Sequence, residues 1–173
     1  MALERLIYAS RSVELLKPEQ LDAILKVSAT NNAKVGVTGA LMYSSREFLQ
    51  CLEGSREAIN QTYARILRDP RHSDLLILDY REVDRRWFSG WGMHHVPPLW
   101  SSRQLLLRYS EREAFAPSKM SASMAAALLS DLAADLASTA PAPSLATAAP
   151  TLPEPTRSIG GLTRDYGAAA QRA

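Results

Sequence analysis

Residues 37–54 read VTGALMYSSREFLQCLEG. Two apolar runs, 37–43 and 47–53, flank Ser44-Ser45-Arg46, a polar triplet of turn-forming composition. Runs of that length alternating across a short polar break predict a β-hairpin. Immediately downstream, Ser55 is an N-cap with Glu57 in the first turn. Ile59, Tyr63, Ile66 and Leu67 then recur at helical spacing until Asp69-Pro70-Arg71-His72 stops the pattern. Upstream, Pro18 and Glu19 open a helix. Its apolar face carries Leu21, Ile24, Leu25 and Ser28, and it ends near Asn31-Asn32. Residues 5–9, RLIYA, form a buried strand, residues 75–83 a fourth strand, and residues 91–96 a fifth, halted by Pro97-Pro98. The order is strand, helix, strand, strand, helix, strand, strand. It predicts an α+β fold, a ferredoxin-like βαββαβ unit with an added fifth strand and both helices on one sheet face.

Composition sets the frame around that unit. The 173 residues favour one domain with an appendage. A net charge of +2 offers no electrostatic case for a nucleic-acid partner. No apolar run reaches the roughly 20 residues of a membrane span, and the first residues carry no secretory pattern, so a cytoplasmic protein is expected. One cysteine excludes a disulfide framework or a multi-cysteine metal site. Residues 1–98 make the predicted domain. Residues 99–138 hold two amphipathic segments, one around Leu105, Leu106 and Tyr109, the other around Met124, Leu128, Leu132 and Leu136. They are expected to cap the open face of the sheet and could also form an oligomer interface. Residues 139–173, rich in Ala and Pro, read as a flexible tail.

Strand alternation assigns faces. Gln50 shares one with Phe48 and Leu52, while Leu49, Cys51 and Glu53 take the other. Tyr8 likewise carries a polar tip in an apolar setting, and Trp91, Met93 and His95 share a face. A carboxamide between large apolar neighbours costs a few kcal/mol, about 2–7, unless its groups are satisfied. For one such residue a satisfied core position is the ordinary explanation, and Asn31-Asn32 taken alone read better as a helix C-cap. Arg65 and Asp69 fit a surface ion pair. Taken together, aliphatics, amides and arginines between two helices fit a planar apolar ligand with a polar rim. His94 and His95 point oppositely along a strand, so no metal site is expected.

The segments RLIYAS (5–10), NN and GVTGALMY (31–43), FLQCLEG (48–54), YARILRDPRH (63–72) and WGM (91–93) resemble the BLUF family of FAD-binding blue-light sensors. The resemblance implies a photoreceptor, not an enzyme, with FAD held non-covalently between the two helices. By position it makes Tyr8 and Gln50 the photoactive pair and Trp91 and Met93 the switching residues. Asn32 would hydrogen-bond the flavin's polar edge and Asn31 would lie beside the ring, with Ile24, Phe48 and Ile66 packed on it. Arg65, Asp69, Arg71 and His72 would line the pyrimidine edge and phosphate side. Signalling would pass through the fifth strand and the C-terminal helices to a partner protein, with the chain itself a homo-oligomer. The competing readings are an interaction module without photochemistry and a flavin-dependent oxidoreductase. Cysteinyl photochemistry is disfavoured, because Cys51 points away from Gln50.

Overall fold

The structure, a computed structural model, describes residues 2–90, 92–96, 109 and 115–139. Its elements are β1 (Leu3–Ser12), α1 (Pro18–Lys34), β2 (Thr38–Ser44), β3 (Glu47–Ser55), α2 (Arg56–Leu67), β4 (His72–Glu82), β5 (His94–Val96), a 3₁₀ turn (Pro117–Lys119) and α3 (Ala122–Thr139). The first seven follow the expected βαββαβ-plus-strand order. The sheet runs β4-β1-β3-β2-β5, with β5 parallel to β2 and every other neighbour antiparallel.

The hairpin forms where expected. Ser45 and Arg46 have φ of 51° and 73°, the primed geometry whose twist matches the flanking strands. The Arg46 guanidinium holds this turn by donating to the carbonyls of Ser12 (3.1 Å from Nε) and Val13. Ser55 caps α2, its hydroxyl accepting from the Ala58 N–H at 3.3 Å.

Each sheet face has its own core. Leu6, Tyr8, Leu41, Phe48, Leu52, Ile59 and Met93 pack on the side of α1 and α2. Ile7, Met42, Leu49, Cys51 and Phe88 pack on the other, against Leu128, Leu129 and Leu132 of α3. Part of the expected C-terminal cap is therefore in place, with Met124 partly exposed.

Several local expectations change. Strands β1 and β4 run Leu3–Ser12 and His72–Glu82, where residues 5–9 and 75–83 were expected. Helix α1 runs on to Lys34, so Asn31 and Asn32 occupy its last turn. Val35 closes it, and Gly36 at φ +68° turns the chain into β2. Leu67 is the last residue of α2 and is exposed, while Thr62 is buried in its place. The Arg65–Asp69 pair does not form, because the helix has ended before Asp69. Arg65 donates to Thr62 Oγ1 at 2.9 Å, and Asp69 pairs with Arg71. Finally, β5 begins at His94, so Met93 precedes the strand. Trp91, most of the segment around Leu105 and Leu106, and residues 140–173 lie outside the described residues.

Candidate functional site

The pairing register places Tyr8 of β1 opposite Gln50 of β3, and Gln50 opposite Leu41 of β2. Both polar tips are buried against apolar walls and each finds a partner. The Tyr8 hydroxyl donates to Gln50 Oε1. Gln50 Nε2 donates to the Met93 sulfur at 3.3 Å. The carboxamide thus links a phenol on one strand to the segment entering β5. Burial pushes the Tyr8 phenol well above its ordinary value, with Tyr63 and Asp69 adding to the shift. Its ring meets Tyr63 edge-on, with centroids 5.3 Å apart.

In front of this pair lies a cavity of about 170 Å³ between α1 and α2. Its floor includes Tyr8, Gln50 and Leu41. Helix α1 contributes Ile24, Asn31 and Asn32, and α2 contributes Arg65 and Ile66. Asp69, Arg71 and His72 close the side where the chain leaves α2 and enters β4. Apart from Leu41 these are the expected site residues, brought to one space from β1, α1, β3, α2 and the turn into β4. Phe48 is not among the lining residues; it packs on the same sheet face, its ring 4.7 Å from that of His72. The sequence reading missed Val27, Ser28, Leu41 and Thr62 as lining residues. Leu41 was within reach, since a hairpin with its turn at Ser45-Arg46 sets it across from Gln50. Thr62 is one turn before Ile66 but reads as a polar helix position.

A second cavity, of about 370 Å³, adjoins through shared residues Ile24 and Arg71 and is otherwise lined by residues including Val13, Leu16, Gln20 and Pro70. Aliphatic walls facing each other across two helices, with amides and guanidinium groups at the edges, suit a flat aromatic ring system carrying carbonyl and imide groups. The donor and acceptor set therefore fits a flavin.

The profile of the family described as sensors of blue light using FAD matches residues 3–94. The chain belongs to the BLUF family. Its BLUF region is 37% identical over 93 residues to the photoactivated adenylate cyclase subunit beta of Euglena gracilis, a match covering 53% of this chain and 11% of that protein. The chain thus spans about a tenth of the length of that relative. Among solved structures, the BLUF protein BlrB in its dark state superposes with a TM-score of 0.66 at 29% identity, covering 78% of this chain and 97% of that one. BlsA in its photo-activated state gives 0.69 at 28% identity, covering 76% and 94%. The α+β fold with its five-stranded sheet is the BLUF fold.

Two features set the chemistry at the cavity's edge. The Arg71 guanidinium and backbone N–H both donate to the Asp69 carboxylate, which holds that acid below its usual range. His72 is within hydrogen-bond distance of Ser10 Oγ, 2.9 Å from Nδ1. Burial lowers its pKa from the ordinary 6.5, outweighing the pull of Asp69. Burial lowers His94 and His95 in the same direction, and these three are all the histidines in the chain. A group whose folded pKa is depressed contributes stability that is present above its unfolded pKa and lost as pH falls through the folded one. Thermal stability is therefore expected to hold above about pH 6.5 and to fall on acidification below it. Melting curves between pH 7.5 and 5 check this, and His72→Gln should flatten part of the slope. A melting temperature that rises on acidification would contradict it.

Among the described residues no three His, Cys, Asp or Glu side chains are grouped to hold a metal ion. No helix among them is long and apolar enough to cross a membrane.

Proposed function

We propose that this chain is a blue-light photoreceptor that holds FAD non-covalently in the cavity between α1 and α2, with Tyr8 and Gln50 as its photoactive pair. The observation that carries this is the continuous link Tyr8–Gln50–Met93, whose Tyr8 and Gln50 line that cavity. Ile24 and Ile66 would pack on the ring. Asn31 and Asn32 would meet its imide edge, and Arg65 and Arg71 would balance negative charge at the rim. The adjoining cavity that shares Arg71 supports a cofactor longer than the ring alone, and so FAD.

Bound flavin supplies an excited state strong enough to accept an electron from a phenol. Tyr8 is placed to give that electron and to pass its proton toward Gln50 Oε1. The buried hydroxyl resists simple ionisation, so its proton needs the acceptor that Gln50 provides. An amide has a donor end and an acceptor end, so a turned or tautomerised Gln50 presents a different pattern to Tyr8 and Met93. Electron and proton return to Tyr8, so the cycle has no net reaction. The Met93 side chain is unbranched and polarisable, suited to repacking when Gln50 changes its bond.

The output in this reading is mechanical. Residues 1–98 act as the sensor, and residues 99–138 as a cap that passes the change from β5 to a partner protein or a second copy of the chain. The packing of α3 on Leu49 and Cys51, directly behind Gln50, supports that route. The test is an absorption spectrum before and after blue light. The purified chain should be yellow, and illumination should move its flavin band reversibly to longer wavelength. A colourless protein that FAD cannot reconstitute would sink the reading and favour an interaction module.

A further inference from the structure

Asn32, in the last turn of α1, is buried and lines the cavity. Its Nδ2 donates to the carbonyl of Gly92 at 2.9 Å, across 60 positions of sequence. That bond orients the amide: one N–H of Nδ2 is held by Gly92, which leaves the second N–H and the Oδ1 acceptor for a ligand. Gly92 immediately precedes Met93, whose sulfur accepts from Gln50. The segment entering β5 is therefore gripped at two successive residues, one grip from α1 and one from β3. The first grip is close. A Cβ on Gly92 would stand 2.5 Å from the Ala29 carbonyl oxygen, so the chain lies directly on the helix backbone.

We infer that Asn32 is a positioning residue that couples occupancy of the cavity to the order of β5, separately from Gln50. The inference rests on the flavin reading above. A ligand edge carrying an N–H donor is matched by Oδ1, and an amide held at its oxygen holds Gly92 more firmly at its nitrogen. The two effects are linked in both directions: whatever factor the ligand adds to the order of the segment, the ordered segment adds to ligand affinity. Filling the site thus sets β5 before any light arrives, and Asn32 gives the fixed point about which a change at Gln50 moves Met93.

The test is amide hydrogen exchange on the full chain in darkness, with and without saturating FAD, read at residues 93–96. In the wild-type chain, loading should slow exchange there by about fivefold, the scale of one hydrogen bond. Asn32→Asp keeps acceptor oxygens and loses the N–H donor. Gly92→Ala displaces the same contact from the other side and leaves Asn32 intact. Each is expected to abolish the slowing at saturating FAD, and far-UV circular dichroism identifies whichever of the two folds. Slowing equal to wild type in a folded variant overturns the inference. A wild-type chain that binds FAD with no change at 93–96 overturns it alone, whereas one that binds no FAD brings down the flavin reading as well.

Discussion

Tyr8→Phe should leave a yellow protein whose flavin band no longer moves under blue light. The substitution removes one oxygen and keeps the ring, so the edge-on contact with Tyr63 and the packing beside Leu6 and Leu52 survive. What disappears is the donor to Gln50 Oε1, and with it the source of both electron and proton in the proposed cycle. Gln50→Leu should give the same spectral outcome by a different loss. It removes the bridge while roughly conserving volume, and leaves the Tyr8 hydroxyl buried without its acceptor, at a cost of about 1–3 kcal/mol. The two variants thus share a spectral defect and differ in stability. Light-minus-dark difference spectra decide the matter: a normal red shift in either variant would refute the Tyr8–Gln50 mechanism.

The second large effect is on stability. Glu53→Ala should cost at least about 3 kcal/mol, because removing one partner of a buried ion pair strands the other. The Glu53 carboxylate is completely buried. It accepts from Arg5 Nε at 2.8 Å, from the Trp87 N–H at 2.9 and 3.0 Å, and from the Phe88 N–H at 2.9 Å. Arg5 is itself buried, its guanidinium 3.3 Å from the centre of the Trp87 ring. The carboxylate therefore staples the β4–β5 connection across the back of the sheet. Arg86 adds a second fastening, donating to Thr38 Oγ1 at 2.7 Å and to the Gly36 carbonyl at 2.8 Å. Glu53→Gln retains an acceptor for the backbone N–H groups and should cost less than Glu53→Ala. Urea denaturation of both variants reads this directly. An Ala variant within about 1 kcal/mol of wild type would show that the staple is redundant, since a loss near 3 is a large part of a typical domain's 5–15 kcal/mol.

Much of the fold was legible because the hydrophobic pattern changes cleanly along the chain. Residues 37–53 are two short apolar runs split by a polar turn and the pattern is helical after Ser55, so the hairpin and the helix that follows it could be placed from residues alone. The site was legible for a related reason. Tyr8 and Gln50 are polar tips beside large apolar neighbours on their strands, and the register then sets them opposite each other. Glu53 meets the same criterion, sharing its face with Leu49 and Cys51, yet its purpose was hidden. Its partners are backbone N–H groups of Trp87 and Phe88, and backbone donors leave no mark in a sequence. The extent of β5 was illegible for a tertiary reason. Among the described residues it pairs with Ala40, Leu41 and Met42 of β2, and Gly92 before it is held on α1 by Asn32 and by its tight fit. The missing Arg65–Asp69 pair has a local cause. Arg71 lies two residues past Asp69 in an irregular turn and captures its carboxylate first.

Cys51 is buried among the side chains between the sheet and α3, and burial pushes its thiol far from the ionised form that reacts with alkylating reagents. As the chain's one cysteine, it gives no reactive background for a probe attached at an engineered surface thiol. Its own slow modification would also time the opening of the sheet–α3 core. That makes it an intrinsic stopwatch for comparing how firmly the core stays closed in darkness and under illumination.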